Sequence, residues 1–331
     1  MKGLYAFFSL LLLIAVALIG VQVVKWHFLF GVVIPYTAFA IFILGIIYRV
    51  IKWAKSPVPF RITTTCGQQK THPWINSSYF DNPHNLIGVL GRMALEILFF
   101  RSLFRNTKAD IHDGKIVYGG NKWLWLGGLA FHWTFLIVLV RHFRFFMEPA
   151  PFFVGWIQNL DGIMQVGIPV LYMTDVVFLG ALTYLFFRRV IVPQVRYISL
   201  AGDYFPLFLI MAIGTTGVLM RYVPSMKVDI NGIKQLTLGL LSFGPIVPEG
   251  IGATFFIHLF LVSLLLAYFP ASKLMHMGGV FLSPTRNLAN NNRARRHVNP
   301  WDYPVEGHSY MEWEDEFREL MKAADMPLEK E

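Results

Sequence analysis

At 331 residues, with 55% hydrophobic and 15% charged side chains, the chain is too apolar and too sparsely charged for an ordinary soluble domain. Its single cysteine, Cys66, excludes a thiolate-held iron–sulfur cluster, an internal disulfide and a CxxCH haem attachment. In so apolar a chain, the net charge of +9 reads as cationic loops on one membrane face rather than a nucleic-acid surface.

Six apolar stretches of spanning length follow in order, at roughly 4–24, 28–50, 123–146, 167–190, 204–222 and 250–272. They predict an all-α integral membrane protein with six transmembrane helices, a cytoplasmic insert and a C-terminal tail. The first stretch follows Met1–Lys2. Its apolar run is longer than the about 7–15 residues of a signal-peptide core, and no AxA-like site follows, so a retained helix is expected. With the N-terminus inside, 23 of the 29 Lys and Arg fall on the cytoplasmic side, which predicts a multi-pass protein of the cytoplasmic (inner) membrane with both termini inside.

The expected divisions are two N-terminal helices (1–50), a cytoplasmic insert (51–122), a four-helix core (123–277) and a cytoplasmic tail (278–331). Within the insert, residues 85–105 are apolar but carry Arg92, Glu96, Arg101 and Arg105, the pattern of an amphipathic helix lying on the membrane or on a partner. A short apolar run, Leu236–Phe243, predicts a helix at the outer interface. In the tail, Tyr310, Trp313, Phe317, Leu320 and Met321 recur at helical spacing, opposite Glu312, Glu314, Asp315 and Glu316. A helix this short is marginal alone and is expected to order against a partner.

The third and sixth stretches carry the chemistry. His132 and His142 lie in one, and His258 and His276 in or just beyond the other. Ionisable residues at membrane depth are costly and point to function. The first pair is 10 residues apart, roughly 15 Å along a helix; the second is 18 apart, five whole turns and one face of a regular helix. Pro270 interrupts that face and predicts a kink or an end. The two helices run antiparallel in this topology, so His132 meets His276 near the cytoplasm and His142 meets His258 near the outside. Each pair can clamp one haem b iron, giving two haems that carry electrons across the bilayer. His27, His72, His84, His112, His297 and His308 fall in loops or at helix ends and read as solvated. Gly127–Gly128 suits either a flat ring or a neighbouring helix at close approach.

These spacings, over about 120–277, resemble the gamma subunit family of respiratory nitrate reductase, a di-haem quinol-oxidising cytochrome b. The resemblance implies haem ligation at His132, His142, His258 and His276, and menaquinol as electron donor. The added N-terminal helix and large insert are similar to the membrane cytochrome b (subunit M) of the sulfite-reductase-associated Dsr complex. That similarity implies a cytoplasmic iron–sulfur partner resembling the heterodisulfide reductase catalytic subunit, further membrane and periplasmic subunits, and a role in sulfite reduction. Nitrate reductase and heterodisulfide reductase complexes share the same core. Quinol oxidation needs polar groups that bind the oxygen and take its proton, and Arg141, Arg144, Asp161 and Asp175 are the candidates, with a salt bridge from Asp175 to Arg141 or Arg221 as the structural alternative. Haem propionates would find cations in Arg141, Arg144 and Arg221 outside and in Lys273 and Arg188 inside. A proton-coupled transporter is the competing class, but the sequence has no internal repeat of the kind that marks many transporters.

Overall fold

The computed structural model describes residues 2–56, 67–164, 170–293, 304 and 307–330; Cys66 and His297 lie outside these. Among the described residues, five helices are long and apolar enough to cross a membrane: Lys2–Gln22, Leu29–Ala54, Lys122–Phe146, Ala201–Tyr222 and Ala253–Ala271. A helix suits this setting because it satisfies every backbone N–H and C=O internally, where no water can.

In chain order, α1 is Lys2–Gln22, and a π turn at Leu29–Val33 leads into α2, Ile34–Ala54. The insert holds α3 (Leu86–Phe99), α4 (Arg101–Phe104) and a hairpin of β1 (Thr107–His112) and β2 (Lys115–Gly120). The core begins with α5 (Lys122–Arg141), α6 (Phe143–Phe146) and α7 (Phe152–Asp161). Two short paired strands, β3 (Gly162–Met164) and β4 (Leu171–Tyr172), precede α8 (Met173–Ile191) and α9 (Pro193–Ile198). Then come α10 (Ala201–Tyr222), α11 (Ile230–Leu241), α12 (Ala253–Tyr268), α13 (His276–Leu282), α14 (Pro284–Asn287) and α15 (Tyr310–Ala323).

Three features bear on the expected architecture. The protein is mostly helical, consistent with an all-α membrane protein, and the insert adds one small hairpin: β1 and β2 pair antiparallel around Asp113–Gly114, both at positive φ. That dipeptide is a strong hairpin signal, because a two-residue turn of this hand needs two left-handed residues. The fourth apolar stretch, expected from 167, becomes helical only at Met173, after the extended pairing of β3 with β4, and carries Asp175, Arg188 and Arg189. The sixth is broken at Pro270, as expected. α12 stops at Tyr268, a 3-10 turn spans Phe269–Ala271, Ser272 is extended, and a second 3-10 turn leads to α13, which starts at His276. Proline lacks the N–H that would continue the ladder and crowds the preceding turn.

Within the bundle α8 packs between α5 and α10, α10 also meets α1 and α12, and α12 meets α2. Lipid is as apolar as leucine, so such contacts depend on close fit rather than on hydrophobic burial. A Cβ on Gly127 would lie 2.6 Å from the Tyr184 ring, so this glycine seats α8 against α5. At the His258 end, α11 closes the bundle. Asp229 caps its first turn by accepting from the Asn231 and Gly232 amides at 3.1 and 3.0 Å. Ile233 and Leu236 join a buried cluster with Ala17, Phe30, Met220 and Phe256, so one face of this helix packs on the core.

At the other end the insert and the segment after α13 build one polar platform. Asn290 donates from its amide to the Pro83 carbonyl at 2.7 Å and from its side chain to Asn82 at 2.6 Å, and Arg286 meets Glu96 at 3.2 Å. Asp81 pairs with Arg105 and Arg101; burial pushes its carboxyl up, but the hydrogen bonds from Arg105, Arg101 and Ser78 outweigh this and hold it at about 2. α3 keeps Val89 and Arg92 inside and turns Leu86, Ile87 and Leu90 outward.

The tail helix α15 opens with a capping box: Glu312 N–H donates to Ser309 Oγ, and Ser309 N–H to the Glu312 carboxylate. Glu314 is not on a solvated face. It is 1% exposed and accepts from Arg318 and from the Glu329 and Lys330 amides, so the chain end folds back and orders the helix locally.

Candidate functional site

The four helix-borne histidines form two cross-helix pairs, and the break after α12 positions one member, His276. The His142 and His258 rings lie 6.5 Å apart, centroid to centroid, with planes 9° from parallel. The His132 and His276 rings lie 6.0 Å apart at 84°, nearly perpendicular. The local reason differs. His142 is the residue after α5's last helical position and faces His258 in the second turn of the unbroken α12. His132 sits mid-helix on α5, whereas His276 opens the separate short helix α13.

All four rings use Nδ1 in the same way. His132 Nδ1 reaches the Gly128 carbonyl at 2.7 Å, His142 Nδ1 the Val138 carbonyl at 2.7 Å, and His276 Nδ1 the Lys273 carbonyl at 2.8 Å. A carbonyl only accepts, so Nδ1 must carry the proton and Nε2 the lone pair. His258 Nδ1 meets the Thr216 hydroxyl at 2.9 Å; that hydroxyl donates to the Ala212 and Ile213 carbonyls and is left to accept. A neutral imidazole oriented through one nitrogen and presenting the other is the arrangement metal-ligating histidines adopt. Thr216 was not singled out in the sequence. Its only signal was a hydroxyl in an otherwise apolar helix.

Beside His142 lies a buried charge cluster. Arg141 donates to Asp161, to Thr174 at 2.8 Å and to Asp175 at 3.2 Å. Asp161 also accepts from the Thr174 amide at 2.8 Å and the Thr174 hydroxyl at 2.5 Å, so both of its oxygens are engaged. Asp175 accepts from the Tyr222 hydroxyl at 2.9 Å. The guanidinium carbons of Arg141 and Arg221 lie 3.8 and 4.0 Å over the Tyr172 ring, each such contact contributing about 2 kcal/mol when desolvated. Of the candidates read from the sequence, Arg141, Asp161 and Asp175 are thus in direct contact. Arg144 is half-buried beside Phe145, on α6. Tyr172, Thr174 and Tyr222 complete the cluster and had no sequence signal of their own.

Several buried arginine Nε atoms have no hydrogen-bond partner among the described residues: those of Arg141, Arg144 and Arg221 around this cluster, and that of Arg49 on α2. Arg49 lies over Trp53, whose ring a Cβ on Gly278 or Gly279 of α13 would touch. Lys273, by contrast, pairs with Asp203 at 2.6 Å on the surface. His27 is not simply solvated: its ring stacks on Phe256 at 5.1 Å.

Residues 117–294 match the nitrate reductase gamma subunit family, a range that runs from β2 past α14 and includes both histidine pairs. Over 281 residues, 83% of each chain, the sequence is 46% identical to the Hdr-like menaquinol oxidoreductase cytochrome b-like subunit of Archaeoglobus fulgidus. It is 42% identical over 277 residues, 81% of each chain, to the subunit of the same name from Archaeoglobus profundus. The chain is therefore a multi-helix membrane protein that belongs to the nitrate reductase gamma subunit family.

Proposed function

We propose that the protein is the membrane cytochrome b subunit of a menaquinol oxidoreductase complex and holds two haem b groups, one between His132 and His276 and one between His142 and His258. The observation that carries this is the shared geometry of the four imidazoles, each with Nδ1 engaged and Nε2 free. An imidazole–metal bond is about 2.0 Å, so two coaxial imidazoles on one metal have centroids about 6 Å apart. The two pairs, at 6.0 and 6.5 Å, fit. The unpartnered arginines suit the group as well, because a guanidinium Nε–H next to an N–H of the same side chain binds a carboxylate in a two-pronged contact. Arg221 would hold a propionate at one end and Arg49 at the other. Bound there, haem supplies reversible one-electron transfer.

In this reading α8 is the sixth span, both termini lie in the cytoplasm, and the His142–His258 end faces outward. Menaquinol is oxidised beside the charge cluster. Asp161, with both oxygens engaged, positions Arg141; Asp175, linked to Tyr222, takes a proton from the quinol hydroxyl; Arg144 binds a quinol oxygen. Each quinol gives up two protons and two electrons, the protons leaving outward while the electrons pass inward, so turnover is electrogenic. From the His132–His276 end the electrons leave to a cytoplasmic iron–sulfur subunit resembling the heterodisulfide reductase catalytic subunit. It docks on the platform of the insert and the post-α13 segment, with α15 as a second contact. A sulfur-metabolism complex of the Dsr type is the setting the N-terminal helices and insert favour.

The test is the purified protein's spectrum. Two haem b per chain by pyridine haemochrome, reduced by a menaquinol analogue, is the expected result; a colourless, folded protein would end the reading. Should D175N and R144A both be reduced at the wild-type rate, the quinol site moves to the other histidine pair.

A further inference from the structure

The insert packs along the N-terminal half of α5. The carbonyls of Leu98 and Phe99 end α3 and have no partner within that helix. They accept instead from the indole N–H groups of Trp133 at 3.0 Å and Trp125 at 2.7 Å, both on α5. These bonds satisfy two carbonyls that the end of a helix leaves open. The next residue, Phe100, joins α3 to α4 in the left-handed conformation, φ 51° and ψ 47°. A bulky side chain adopts that backbone only where its surroundings enforce it. Glu96 secures the turn by accepting from the Ser102 amide at 2.9 Å. The elbow sets the Phe100 ring edge-on against His132, centroids 5.0 Å apart and planes at 89°.

We infer that Phe100 is a positioning residue for the His132 imidazole: it blocks the ring's rotation about Cβ–Cγ and keeps it perpendicular to His276. This rests on the haem reading above. Perpendicular imidazoles donate π density to different iron d orbitals and leave those orbitals nearly degenerate, whereas parallel ones donate to the same orbital and split the set. Oxidised protein therefore gives two distinct low-spin signals, a strongly anisotropic low-field maximum from His132–His276 and a three-line rhombic spectrum from His142–His258. Phe100 also keeps the first pair apolar, and the hydrophobic shell around a metal site tunes its potential.

The experiment compares wild-type, F100A, F100Y and F100W by pyridine haemochrome, electron paramagnetic resonance and redox titration. The expected result is full haem content in every variant. F100A moves only the low-field signal toward rhombic and lowers only that haem's midpoint, while F100Y and F100W restore both. Loss of one haem in F100A alone, restored in F100Y or F100W, also supports the inference. Wild-type signals and midpoints in F100A at full haem content would overturn it, as would loss of haem in all three variants, which means a role in folding. Wild-type protein without haem would overturn the haem reading itself and this inference with it, and the haemochrome identifies that case before any variant is compared.

Discussion

The two histidine pairs use the same residue type and the same Nδ1 anchoring, yet they are built differently. His142 and His258 are both half-buried and nearly parallel; one caps the end of α5 and the other lies in the unbroken α12, with Thr216 beside His258 and the Arg141 cluster beside His142. His132 and His276 are exposed and perpendicular; one partner is carried by a separate short helix and the other is fenced by an elbow of the insert. The first pair is set by bundle packing and buried charge. The second is set by a proline break and by a segment outside the bundle, so it is the pair that changes at the platform can reach.

The sharpest way to break this comparison is to remove the proposed haem ligands one at a time. H142A or H258A should lose one haem and H132A or H276A the other, by haemochrome and by which resonance signal disappears. A single variant that kept both haems would undo the pairing.

Next in size is the charge cluster, which belongs to one pair only. R141A leaves Asp161 and Asp175 buried without their cation, and removing one member of a buried ion pair costs about 3–5 kcal/mol. We expect a clearly lowered thermal midpoint in detergent and weakened retention of the His142–His258 haem. Replacing Lys234, whose pair with the exposed Glu148 lies on the surface, should change stability by about 1 kcal/mol or less.

A smaller effect follows at Thr216. T216V removes the acceptor for His258 Nδ1–H without changing the side chain's shape, and loss of such a support weakens metal-site affinity by about 10–100-fold. Haem retention during dilution should fall at this site alone. Equal loss at both sites would mean that Thr216 acts on the bundle rather than on the ligand.

The smallest effect is the pH response of the platform. Asp81 has its carboxyl held at about 2, below the ordinary 3.8. A depressed carboxylate contributes stability that is present in full above 3.8 and is lost as pH falls through about 2. Both arginine partners are partly exposed, so screening keeps the contribution near about 1 kcal/mol. Limited proteolysis of the insert should be flat from pH 8 to about 5 and rise only below about 4; D81N should be as susceptible at pH 7 as wild-type is at low pH.

Much of this was readable in the chain because membrane helices leave a coarse signal. Apolar runs mark where helices go, and a histidine inside one stands out against a background that excludes polar groups. Pro270 announced the break in the sixth stretch, since the absence of an N–H acts locally. Asp113–Gly114 would have given the hairpin had the turn been weighed against the helical composition around it. Arg141, Asp161 and Asp175 could be named as candidates, but whether they met one another depended on how α5, α7 and α8 pack.

What the sequence by itself determined is therefore the inventory: helix positions, histidine depths, the proline stop and the supply of buried charge, all of which follow from local chemistry and from lengths along a helix axis. The tertiary structure alone decided the orientations. An imidazole can turn about Cβ–Cγ at little cost, so its plane is set by what packs beside it. For His258 that neighbour is Thr216, 42 residues away in sequence, and for His132 it is Phe100 on an elbow of the insert, which adds to Gly128 and Phe131 on its own helix. Contacts between segments so far apart leave no periodicity in the chain, which is why one pair of histidines lies parallel and the other crossed without either fact being written in their spacing.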